Sequence, residues 1–304
     1  MVWAPASLVG LPCAALLILA PAADRQSGFA QPLAGMIGAV SVALLVLGGA
    51  NGGRLGAVTS AYIVIATAAF VSLVLLRPDA VLRQAVRSIV AAGIAAAVLI
   101  ELIWGPDAWR ALAWEATRAA GMTMRSVVEV TPDAFALYEP MVRFISLTWP
   151  GMLALQTLAG LALAWQLHVR IAARTATVTA APLTRFKDFR IGDGWVWGIV
   201  AWLIVLILPV SSAIHIAGTN VGLVAGTLYV LRGAAIVATF AEAFGISTAM
   251  LVIMAAAAAA LAVPMLFVLP GLCTLGITDT WYQYRRRLGE ARQRGGRGRG
   301  RKTT

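Results

Sequence analysis

The chain has 304 residues, of which 60% are apolar and only 12% charged, and its mean hydropathy is +0.84. Soluble domains carry about 25% charged residues, so this composition excludes soluble domains, a disordered chain and a secreted disulfide scaffold, and it predicts an all-α polytopic membrane protein. The net charge of +11 is almost wholly arginine, because Lys187 and Lys302 are the only lysines.

A bilayer core about 30 Å thick needs roughly 20 apolar residues per helix. Runs at 8–23, 33–50, 55–76, 88–104, 149–171, 195–217, 221–243 and 248–276 meet that need and predict a bundle of about eight transmembrane helices. They would form one membrane domain over 1–284, followed by a disordered Arg/Gly-rich tail over 285–304. The first run has two readings. Leu8 to Ala20 resembles the apolar stretch of a signal peptide, and Ala20-Pro21-Ala22 a cleavage site. No Lys or Arg precedes the run, however, so a first membrane helix is the preferred reading. Asn51-Gly52-Gly53-Arg54 separates the second run from the third, and Arg77-Pro78-Asp79 ends the third.

Residues 105–148 differ in kind. After Gly105-Pro106, the residues Trp109, Leu112, Ala113, Ala116, Ala120, Met124, Val127 and Val128 recur at helical spacing, while Arg110, Arg118, Arg125 and Glu129 fall largely opposite. The segment reads as an amphipathic helical insert. Thr131-Pro132-Asp133 marks a second helix start, and Trp149-Pro150 opens the next membrane run. The insert is either a connector on the water-facing end of the bundle or an interfacial element or lid.

The runs 195–217 and 221–243 are read as separate, with Asn220 opening the second, and 248–276 is interrupted by Pro264 and Pro270. Charge then sets orientation. Nine basic residues after Tyr284 oppose Glu290, a net of +8, and the loop 170–193 carries a net of +3. Both segments favour the cytoplasm, yet three plain crossings between them put them on opposite faces. The denser tail is taken as cytoplasmic, and a broken or re-entrant 248–276 is one way out of the conflict. The tail, led by Arg285, Arg286 and Arg287, suits anionic lipid better than nucleic acid.

No zinc-protease, phosphate-loop or C-x-x-C motif is present. His168 and His215 lie in different runs, no carboxylate pair falls within a membrane run, and no metal or cofactor set emerges. The two cysteines, Cys13 and Cys273, offer neither a disulfide framework nor a zinc site. The charge well inside a run is Arg232. Arginine at a helix centre costs at least ~2.5–3.5 kcal/mol, so it is a functional-site hypothesis by default. Glu101 and Glu242 are its sequence-level partners. Glu242 is ten residues on, about 15 Å along the axis, and Glu101 is placed close to a helix end. Arg232 is therefore expected to face a wet cavity near the midplane and hold a small anion, with Asn220 as a polar helper at the start of the same run. Gly222 and Gly226 stand at the spacing that lets helices approach closely.

Four sets of residues together resemble the DUF2232 (YybS-like) family of membrane proteins. They are Phe189-Arg190 before Trp195 and Trp197; Asn220 with Leu228-Tyr229 and Arg232-Gly233; Pro150; and Leu275-Gly276-Ile277-Thr278-Asp279-Thr280-Trp281 leading to Arg285-Arg286-Arg287. The resemblance covers roughly residues 30–288 and is most specific after 185. The chain departs from the family where Ile191-Gly192-Asp193 replaces a proline after the arginine, and in its Arg-Gly tail. The family is functionally uncharacterised. It is distantly similar to substrate-binding components of energy-coupling-factor vitamin transporters and to rod-shape membrane proteins of the MreD type. That is a fold-level analogy, and fold does not fix function; the first reading is a bacterial inner-membrane, transport-type component that binds a small solute in its bundle. The alternative is a non-catalytic scaffold recruiting a membrane or cytoplasmic protein partner through 105–148 or the tail.

Overall fold

The computed structural model describes residues 4–19, 30–76, 79–130, 132–174, 183, 185–260 and 265–284. Most of the described residues are helical, with no strand among them. Contacts divide the chain into two compact units, Met1–Leu183 and Thr184–Thr304. Among the described residues, five helical stretches are long and apolar enough to cross a membrane: Pro32–Asn51, Gly53–Leu76, Val81–Trp104, Phe135–Ile171 and Ser212–Ala243. Large apolar side chains such as Leu47, Val64, Ile94 and Leu102 are exposed on these helices, as expected of surfaces that meet lipid rather than water.

The first unit contains α1 (Ala4–Leu19), α2 (Ala30–Asn51), α3 (Gly53–Leu76), α4 (Val81–Trp104), α5 (Ala108–Val130) and α6 (Tyr138–Arg174). The first run is a packed helix here, with Leu8, Cys13 and Leu16 buried. A Cβ at Gly160 of α6 would lie 2.9 Å from Leu8, so that glycine is what lets α1 and α6 close. The expected break at 51–54 is a tight hairpin. Gly53 has φ +62°, and Cβ atoms at Gly52 and Gly56 would fall 2.7 and 2.8 Å from the Gly48 carbonyl oxygen. Before α4, Asp79 accepts the Ala80 N–H at 2.8 Å and pairs with Arg83 and Arg87 at 3.0 and 3.2 Å. It thereby offsets two cations at the helix end where the backbone dipole disfavours them.

The insert takes a different form from the expected pair of helices. Helix α5 buries Ala108, Leu112, Ala116, Ala120 and Met124, one row at i, i+4 spacing, and packs mainly on α6. After a 3-10 turn at Pro132–Leu137, α6 runs unbroken for 37 residues, with Pro150 inside it rather than at its start. At 1.5 Å per residue α6 is about 55 Å long, well beyond the ~30 Å hydrocarbon core. Residues expected to cap the bundle are therefore the leading turns of the membrane helix itself.

The second unit contains α7 (Val196–Ile207), α8 (Ser212–Ala243), α9 (Thr248–Ala260) and α10 (Met265–Tyr282). The expected break at 218–220 is absent, and the chain breaks at Leu208-Pro209 instead. Leu208 is extended, as the residue before a proline prefers to be. Gly218 and Gly222 lie inside α8, where Cβ atoms would meet Val205 at 2.7 Å and Trp202 at 2.3 Å. They are seats for α7, which runs back along α8, and not a turn. Within the expected long run 248–276 the described residues form α9 and the start of α10, and 261–264 lie outside the described residues.

Candidate functional site

Helices α8 and α10 touch backbone to backbone. A Cβ at Gly233 would lie 1.9 Å from the Leu272 carbonyl oxygen, and one at Gly276 would lie 2.2 Å from that of Tyr229. Side chains flanking this crossing are brought into direct reach. Arg232, 5% exposed, follows Tyr229 by three residues and immediately precedes Gly233; Asp279, 4% exposed, follows Gly276 by three.

The Arg232 guanidinium makes four hydrogen bonds. Its Nε and Nη2 donate to Asp279 Oδ2 at 3.2 and 3.1 Å, and its Nη1 donates to Asp193 Oδ1 at 3.2 Å and to the Ile191 carbonyl at 3.4 Å. The two carboxylates differ. The Asp279 side chain is 5% exposed, and its other oxygen accepts the Tyr284 N–H at 3.0 Å just past the end of α10. The Asp193 side chain is 66% exposed, in a 3-10 turn before α7. A cleft of about 480 Å³ opens beside them, lined by Arg190, Asp193, Arg232, Asp279, Thr280 and Gln283 among others. Its two arginines and two aspartates make it formally neutral.

The expectation that Arg232 lacks a carboxylate is therefore corrected. Its partners are Asp279 and Asp193. Glu101 accepts a hydrogen bond from the Trp109 indole, and Glu242 pairs with Lys187 at 2.8 Å. In the sequence Asp279 falls three residues beyond the run 248–276 and reads only as part of the closing family element, and Asp193 reads as loop charge. The signal that could have found Asp279 is the i, i+3 spacing of Gly276 and Asp279 beside the adjacent pair Arg232-Gly233. Arg232 contacts the irregular segment Ile191–Asp193, and irregular backbone in a membrane protein is tolerated only against protein or water.

Asn220 is not part of this cluster. It lies nine residues into α8, buried, with its side chain donating to the Ile216 carbonyl at 2.8 Å. Twelve residues separate it from Arg232, about 18 Å along the helix. Arg285, Arg286 and Arg287 lie outside the described residues. The charge conflict between loop and tail changes form, however. Three plain crossings would hold Asp193 and Asp279 about 30 Å apart, yet one guanidinium binds both. The segments leading into the two basic stretches meet on one side of this unit. The 12 residues of α7 are too few to cross a bilayer.

Comparison with known proteins gives one match. Residues 113–280 match the family described as "Predicted membrane protein (DUF2232)". No curated protein and no solved structure matches. The matched residues run from α5 to Thr280 and contain Asp193, Tyr229, Arg232, Gly233, Gly276 and Asp279, so the crossing and its ion cluster lie wholly inside them. With more than half of its length matched, this chain belongs to the DUF2232 family of membrane proteins.

Proposed function

We propose that the chain is a non-catalytic component of the bacterial cytoplasmic membrane that binds a small anionic solute at the Arg232 cleft. The unequal grip of Arg232 carries this reading. Asp279 holds one edge of the guanidinium from a buried position, while the exposed Asp193 holds the other edge at the mouth of the cleft. A carboxylate or phosphate of a solute can take the place of the Asp193 carboxylate without leaving a buried charge unpaired, and Arg190 stands beside it. The fold-level analogy to energy-coupling-factor substrate-binding components agrees with this reading but does not name a solute. The tail, with Arg285, Arg286 and Arg287, is cytoplasmic in this reading and rests on anionic lipid.

The test is thermal-shift screening of the detergent-purified protein against small carboxylates, phosphates and vitamins. Stabilisation is about 2.7 kcal/mol at a hundredfold excess over Kd. Asp193→Asn removes the competing carboxylate, so it should bind the same solute more tightly than wild type, and Arg232→Gln should abolish the response. A flat panel with both wild type and Asp193→Asn overturns the reading. The scaffold alternative then gains, because α5 exposes Trp109 and Trp114 on the segment expected to recruit a partner.

A further inference from the structure

A second cavity lies in the unit Met1–Leu183. It is a cleft of about 900 Å³ between the α2–α3 hairpin and α5. Its two ends differ in polarity. Glu115 and Arg118 of α5 stand at the hairpin turn Asn51–Gly53, and Leu44, Leu47 and Ile63 line the far end. From Asn51 to Leu44 is seven residues and from Gly53 to Ile63 is ten, so the cleft descends about 10–15 Å. That is about half of a ~30 Å hydrocarbon core, the depth of one leaflet.

The mouth carries one carboxylate and one guanidinium, and among the described residues only the carboxylate is held by the protein. Glu115 Oε2 accepts the Leu55 N–H at 2.7 Å, so this carboxylate is spent on the positive end of the α3 dipole. A Cβ at Gly53 would crowd that same oxygen at 3.1 Å, and its absence is what admits the carboxylate. Arg118 is exposed, lines the cleft and makes no ion pair among the described residues. The charge left for a ligand is therefore a guanidinium, whose planar fork matches a phosphate. Along the hairpin, Gly48, Gly52 and Gly56 present a wall without side chains.

We propose that this cleft binds one anionic phospholipid, with its phosphate on Arg118 and one acyl chain along the α2–α3 hairpin towards Leu44 and Ile63. Unlike the solute reading, this assignment uses no residue of the Arg232 cleft, so either can fail alone.

The full-length protein, delipidated in detergent, is titrated with phosphatidylglycerol, with phosphatidylcholine of the same chains, and with glycerol phosphate. Thermal shift and native mass spectrometry serve as readouts. Phosphatidylglycerol should raise Tm saturably and leave one retained lipid, and neither phosphatidylcholine nor glycerol phosphate should match it. Arg118→Gln, at an exposed position, should fold normally and weaken phosphatidylglycerol binding by about tenfold. Ala119→Trp, which fills the cleft, should remove the retained lipid. The basic tail is present in every variant, so its own lipid contacts cancel in the comparison. Equal binding of the two phospholipids, or an Arg118→Gln protein that binds like wild type, overturns the proposal. Binding of glycerol phosphate alone as tightly as the lipid overturns the acyl-chain assignment.

Discussion

Arg232 on α8 and Asp279 on α10 form a buried ion pair at 3.1 Å, and they meet because Gly233 and Gly276 let the two helix backbones touch. The glycines set the distance and the charges set the register. A buried pair of this kind is not in itself a source of stability, since desolvation offsets much of the attraction. Removing one partner is what costs.

Arg232→Leu should therefore destabilise the protein by ~3–5 kcal/mol, because Asp279 is left buried and unpaired. The double variant Arg232→Leu, Asp279→Leu should recover much of that loss. Unfolding in detergent, followed by intrinsic tryptophan fluorescence, measures both. A single variant as stable as wild type would show that the pair does not matter to the fold.

The crossing itself predicts an ordering of glycine substitutions. Gly233→Ala and Gly276→Ala each force a methyl group onto a carbonyl oxygen and should cost ~1–3 kcal/mol or more. Gly226, also in α8, has nothing within 4 Å of its Cβ position. Gly226→Ala should be neutral or stabilising by ~0.4–1 kcal/mol. Thermal unfolding of the three variants side by side checks the order.

Asp79 predicts a pH dependence. The hydrogen bond from the Ala80 N–H, with the charges of Arg83 and Arg87, holds its carboxyl below the usual carboxylate range. A depressed value in the folded state means that the contribution is complete above the unfolded value of about 3.9. It is lost as pH falls through the folded one. Asp79→Asn should accordingly be less stable than wild type at pH 7, and the gap should close below about pH 4. A gap that persists unchanged in acid would assign the effect to something other than this carboxylate.

The shared binding of Asp193 and Asp279 predicts that their flanking segments label from one side. Single cysteines replacing Asp188 and Thr303, in a background free of Cys13 and Cys273, should react with a membrane-impermeant maleimide only from the cytoplasmic face. Labelling of the two positions from opposite faces would break the shared-side arrangement. Labelling of both from outside would reverse the orientation.

The features legible in the sequence are local ones. Apolar content dictates membrane helices because a helix satisfies its backbone hydrogen bonds within its own segment. Asn51-Gly52-Gly53 reads as a turn because only a residue without Cβ takes φ +62° at Gly53 without strain. The amphipathic face of α5 is visible because its row of apolar residues repeats within one helix. The features that tertiary structure decided are those where one residue type serves two purposes. Gly218 looks like a break and is a seat for Val205, because a missing side chain relaxes the backbone and also admits a neighbour. Leu208-Pro209 makes the break instead. Arg232 finds Asp279 47 residues away and Asp193 39 residues away. No spacing rule connects charges at those separations, and only the closeness of α8 and α10 at Gly233 and Gly276 makes them partners.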